Sequence, residues 1–156
     1  MSGLLCLAVA AALGGSPQLI RPNDGIGCVD LAMSPALVRA TLGRPTQIRH
    51  VYSGPGPDLD DWIYVRRRLT LQFILAGREP SVYQIATRNP LYHTRNGVHV
   101  GSPERQVRTV ARYCRNDAYA RRRRYCSNTN EGGVGGTFWL IRHGRAVSVA
   151  VAAPVF

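Results

Sequence analysis

A chain of 156 residues, 45% hydrophobic and only 19% charged, makes one ordinary domain or two small units sharing a core, and is not a disordered polyelectrolyte. Its charge is one-sided: 20 basic residues against 9 acidic ones give a net charge of +11, and every basic residue is arginine. Such a surface favours anionic partners, because guanidinium groups bind carboxylate and phosphate through paired hydrogen bonds.

The first 15 residues carry the features of a signal peptide. An apolar run over 4–13 is followed by small residues, with Ala12-Leu13-Gly14 as the cleavage site. No basic residue precedes the run, which leaves a buried helix as the alternative. The run is too short to span a bilayer as a helix, and no other segment approaches transmembrane length. Gly3-Leu4-Leu5 before Cys6 lacks the small residues of a lipoprotein signal, so the expectation is a secreted or extracytoplasmic protein without a lipid anchor. Residues 16–27, rich in Gly, Pro, Asn and Asp, read as a linker.

The first folded unit is expected over 28–95. Ser34 is an N-cap residue, Pro35 suits the first helical position, Val38 and Leu42 share a helical face, and Gly43 with Pro45 ends the helix. Strands are expected over 47–52, 62–65, 69–73 and 82–87. Leu69, Leu71 and Phe73 alternate with Thr70 and Gln72, the period of a half-buried strand. Val38, Leu42, Leu71 and Phe73 are expected to share one core. Asp58, Asp60 and Asp61 form an acidic cluster in a Gly/Pro loop, without the order of a calcium loop, and read as a solvated tip.

The pattern returns over 96–156. Ser102 and Pro103 open a second helix with Glu104 in its first turn, and strands follow over 137–142 and 147–151. The sequence therefore predicts an α+β fold: two tandem helix-plus-antiparallel-sheet units in one compact domain, the helices packed on one face of the sheet.

Cys114 and Cys126 flank a polar, arginine-rich segment and suit a loop-closing disulfide, with Cys28 left as a buried thiol. Three scattered cysteines and four scattered histidines have no metal-ligand spacing, and no cofactor motif is present. His50, His93, His99 and His143 lie outside any catalytic motif. A ribonuclease-like pair from His50 and His99 would need a convergence that their spacing does not show.

The candidate anion-binding residues are two runs, Arg66-Arg67-Arg68 and Arg121-Arg122-Arg123-Arg124. The second lies between Tyr119 and Tyr125, an interleaving that suits phosphate contact with stacking and equally suits a solvated charged loop.

Ala32-Met33-Ser34, Val38, Leu42-Gly43-Arg44-Pro45, Trp62-Ile63-Tyr64 and Leu71-Gln72-Phe73 together resemble the small outer-membrane lipoproteins of the barrel-assembly machinery and the β-lactamase inhibitor protein family. The resemblance implies helices on one face of a small antiparallel sheet, and a non-enzymatic binding or scaffolding module. The expected function is engagement of a protein or an anionic polymer or lipid of the envelope. The alternative is a basic nucleic-acid-binding protein or small secreted nuclease.

Overall fold

The computed structural model describes residues 18–52, 54–75, 79–117, 123–129 and 135–154. Strand pairing dominates it. Three two-residue strands, β1 (Ile20–Arg21), β2 (Gly25–Ile26) and β3 (Val29–Asp30), form a small antiparallel sheet. Helix α1 (Pro35–Leu42) precedes β4 (Gln47–Val51), β5 (Leu59–Tyr64), β6 (Leu69–Ile74) and β7 (Ser81–Thr87), with a 3-10 turn at Val65–Arg67. A four-residue helix, α2 (Glu104–Val107), precedes β8 (Tyr113–Asn116), β9 (Arg123–Ser127), β10 (Gly136–Arg142) and β11 (Arg145–Ala152). The last eight strands form one antiparallel sheet in the order β4-β5-β6-β7-β11-β10-β9-β8. Two four-stranded meanders thus meet at β7 and β11, in register at Val149–Thr87, Ala150–Ala86, Val151–Ile85 and Ala152–Gln84.

This corrects the expected α+β class. The chain is mostly β, with one continuous eight-stranded sheet in place of two helix-plus-sheet units. The second helix is shorter than its cap signals suggest for two physical reasons. The Ser102 hydroxyl accepts from the His99 N–H at 3.1 Å, so it does not cap, and Pro103 at the helix start has no side chain to do so. Val107, Thr109 and Val110 are β-branched and resist continuation. Helix α1 has what α2 lacks: Ser34 Oγ accepts from the Leu37 N–H at 3.3 Å, and Gly43, at φ 83°, turns the chain where a side chain would be strained.

The segment read as a linker is folded from residue 18 onward. Ile20 and Ile26 are both 1% exposed and belong to the main core. The acidic loop tip is also corrected, because Asp60 and Asp61 lie in β5. The 77–78 turn and the leader over 1–15 lie outside the described residues.

One face of the large sheet is covered. Trp62, Tyr64, Leu69, Leu71, Phe73, Ile85, Trp139, Ile141, Val149 and Val151 alternate inward along their strands and pack with Val38 and Leu42 of α1, Val107 of α2, and Ile20, Ile26 and Val29 of the small sheet. Val38, Leu42, Leu71 and Phe73 do share this core.

Tyr64 ties α1 to the sheet. Its hydroxyl donates to the Gly43 carbonyl at 3.1 Å, and burial pushes its pKa up to about 12 against the opposing pull of Arg39 and Arg67. The unfolded phenol ionises near pH 10. The stability linked to neutral Tyr64 is therefore fully present below about pH 10 and is lost as pH rises towards about 12. Denaturation followed at pH 9 and pH 11.5 should show this fall, and Tyr64→Phe should flatten it. An equal slope in the variant would place the linkage elsewhere.

Candidate anion-binding face

The other face of the eight-stranded sheet is left open: no described element packs on it. Its residues follow from register. The row Ile63–Thr70–Ala86–Ala150–Phe138–Ser127–Tyr113 crosses seven strands, and the row Ser148–Leu140–Tyr125–Arg115 runs beside it. Tyr113 and Tyr125 are 42% and 37% exposed, which leaves ring surface available.

Arginines gather at one end of this face. Thr87 pairs with both Leu69 and Val149, and Arg142 pairs with both Arg145 and Arg123. These pairings bring the start of β6, the end of β7, the start of β11, the end of β10, the start of β9 and the end of β8 to the same pole. Arg68, Arg88, Arg115, Arg123 and Arg142 stand there, and none of the five joins an ion pair among the described residues. Two described acids stand at that pole, Asp117 and, on the covered side, Glu104, whose N–H donates to the Gly144 carbonyl of the β10–β11 turn at 2.8 Å.

Most of the other carboxylates sit elsewhere, and Glu104 faces the covered side. Asp24 and Asp30 pair with Arg21 on the small sheet, Asp60 pairs with His50 at 2.5 Å, and Glu104 pairs with Arg108 and Arg124 at 2.8 and 2.9 Å. Asp61 is on the open face but is neutralised at the far end, accepting from Arg49 at 2.6 Å and from the Gln72 amide at 2.9 Å. Cations outnumber the described acids at the pole, which leaves a positive field there.

The two arginine runs split between faces. In the first run, Arg66 and Arg67 line a cavity of about 240 Å³ on the covered side, with Tyr92 and Leu42, while Arg68 lines the open face. Burial raises the Tyr92 pKa, and Arg67 beside it works against that shift. In the second run, Arg124 lies opposite Ile141 on the covered face and is paired with Glu104, apart from the open face. Arg123, its neighbour in β9, points to the open face. Arg121, Arg122 and Tyr119 lie outside the described residues.

Cys114 and Cys126 form a disulfide across β8 and β9, with Cys126 fully buried. Cys28 is corrected from a thiol to a disulfide-bonded cysteine whose partner lies outside the described residues. The one acid–thiol cluster among the described residues, Glu104 with Cys114 and Cys126, has both sulfurs committed to their bond and none free for a metal.

Each histidine ring that forms a hydrogen bond does so locally. His50 meets Asp60, His93 Nδ1 meets the Thr94 carbonyl at 3.0 Å, and His99 Nδ1 meets the Gly97 carbonyl at 2.9 Å. His143 sits in the exposed β10–β11 turn. The sequence missed Arg88, Arg115 and Arg142, because isolated arginines in strands carry no run. Their signal was alternation: each is one residue from an inward position, Thr87, Cys114 or Ile141.

No family model matches the chain, and no curated protein matches it in sequence. Among solved structures it is similar to an extracellular protein containing an SCP domain from Bacillus anthracis, at a TM-score of 0.50 and 12% identity, covering 78% of this chain. That likeness is of fold alone. This chain spans 43% of the length of that protein. Among the described residues no helix is long and apolar enough to cross a membrane.

Proposed function

We propose that this protein is an extracytoplasmic, non-catalytic binding module that engages an anionic partner of the envelope through the arginine pole of its open sheet face. The observation that carries this reading is five arginines, none ion-paired among the described residues, at one end of a face that no described element covers, where they outnumber the acids. The Nε of Arg142 adds to it: this donor is buried with no hydrogen-bond acceptor among the described residues, a cost that a bound anion would offset. Disulfide-bonded cysteines support an oxidising compartment, and the fold neighbour is described as extracellular. The resemblance of the cap and strand motifs to two non-enzymatic families points the same way.

The test compares two triple variants of equal charge loss on heparin. Arg115→Ser, Arg123→Ser and Arg142→Ser remove the pole on β8–β10. Arg44→Ser, Arg49→Ser and Arg95→Ser remove exposed arginines away from β8–β10. The pole variant should elute at distinctly lower salt than the control. Equal elution would reduce the charge to a solubilising role.

A second reading has one specific observation in its favour. Tyr113, Tyr125 and Phe138 interleave with Arg115 and Arg123 on the open face, an arrangement that suits base stacking beside phosphate contacts. A labelled single-stranded oligonucleotide, bound with a steep salt dependence that the pole variant flattens, would favour nucleic acid as the partner.

A further inference from the structure

The open face is grooved along its middle. The central strands β7 and β11 present only small side chains near the pole, Ala86, Ala150 and Ser148, between Ile63 and Thr70 on one side and Phe138 and Leu140 on the other. The groove deepens at the pole into a cavity of about 520 Å³, with Ile63, Thr70, Ala86 and Ser148 lining it and Arg68 and Arg88 beside them. That volume falls in the range of small-molecule sites. Polarity changes along the groove: two cations at one end, small apolar side chains in the middle, and the neutralised Asp61–Gln72 pair with Gln84 beyond. A polyanion lying along it would leave its charges without partners after the first.

We infer that the groove seats a single-chain amphiphile with one anionic head, the carboxylate or phosphate held by Arg68 and Arg88 and the alkyl chain lying over Ala86 and Ala150. The assignment rests on the open face being the ligand-binding face, and it commits the central groove where the heparin test commits only β8–β10. Arg68 is well placed for the head because its backbone is fixed: its carbonyl accepts from the Arg88 N–H at 3.1 Å and from the Thr87 hydroxyl at 2.9 Å. Those bonds hold the two arginine backbones side by side before any ligand arrives, so little order is lost on binding.

The experiment is calorimetric titration of the full chain with decanoate and decyl phosphate below their micellar concentrations, with decanol as tail alone and acetate and inorganic phosphate as heads alone. Both charged amphiphiles should bind, decanol about tenfold more weakly or worse, and the heads alone not measurably. Ala150→Leu should fill the groove and abolish amphiphile binding while leaving heparin retention unchanged. Ser148→Val serves as a second groove variant if the first lowers Tm. Arg68→Ser with Arg88→Ser should weaken both amphiphiles about tenfold. Equal binding of decanol would reduce the groove to an apolar patch and overturn the assignment. Undiminished amphiphile binding in both groove variants would do the same. Loss of heparin or oligonucleotide retention in Ala150→Leu would show that a polymer, and not an amphiphile, occupies the groove. The pole reading could survive any of these outcomes, and it fails separately if the β8–β10 variant elutes with its control.

Discussion

Replacing Phe73 by alanine will destabilise the protein by about 3–5 kcal/mol, lowering Tm by roughly 6–20 °C for a chain of this length. Phe73 is 1% exposed, and its ring lies 4.6 Å from that of Trp62, centroid to centroid, at a tilt of 47°. The substitution removes the buried ring area and the aromatic pair, the latter worth about 0.5–1.5 kcal/mol beyond burial. The site has little freedom to collapse. Phe73 is held between Asp60 of β5 and Val82 of β7 by strand pairing, just after a register irregularity in β6. Trp62 is clamped from its other side, since the Arg39 guanidinium of α1 stacks 4.6 Å from its ring. Urea unfolding of the two forms measures the difference, and a change below about 1 kcal/mol, the range of surface sites, would remove Phe73 from the core.

The second large effect concerns the Cys114–Cys126 bond. The paired Cys114→Ala, Cys126→Ala variant should lose about 3 kcal/mol, the chain-entropy value for a loop of this size, given a sequence separation of 12. The loss should be local before it is global. β8 is an edge strand that pairs only with β9, through Tyr113–Ser127, Cys114–Cys126, Arg115–Tyr125 and Asn116–Arg124. Once the bond is absent, amide exchange should rise first over 113–116, while the core amides of β6 and β7 remain protected. Heparin retention should fall with it, because detachment of β8 carries Arg115 and Tyr113 away from the pole. Unchanged exchange over 113–116 would mean that pairing with β9 alone holds the edge.

What the sequence disclosed follows from where the physics is local. The strand of alternating Leu69, Leu71 and Phe73 was readable because period-two burial writes itself into consecutive residues. Helix α1 was readable because its start and stop are single-residue signals, Ser34 with Pro35 and Gly43. The same signals at Ser102 and Pro103 misled, because the Ser102 hydroxyl is spent on His99 and β-branched residues follow. β8 and β9 were invisible behind their arginines. Charged side chains at Arg115 and Arg123 face the open side, and only Cys126 marks the buried face in β9. The small sheet was hidden for a different reason: two-residue strands are too short to show any period. The pole itself is a product of pairing. Arg88 and Arg115 are far apart in the chain and reach the same end of the sheet only through the register of β7, β11, β10, β9 and β8, which no local pattern announces.

The position of β11 carries a consequence for how the molecule is made. β11, the last of the described strands, occupies the middle of the large sheet, between β7 and β10. During synthesis, β4 to β7 are complete long before β11 leaves the ribosome, and β7 waits with an unpaired edge. The sheet therefore closes only after β11 has emerged. The same order makes β7 the exposed template during the wait, so a second copy's β11 competes for that place at high concentration. Strand exchange between molecules is the characteristic misassembly of such a sheet, and late closure by non-local pairing makes folding slow.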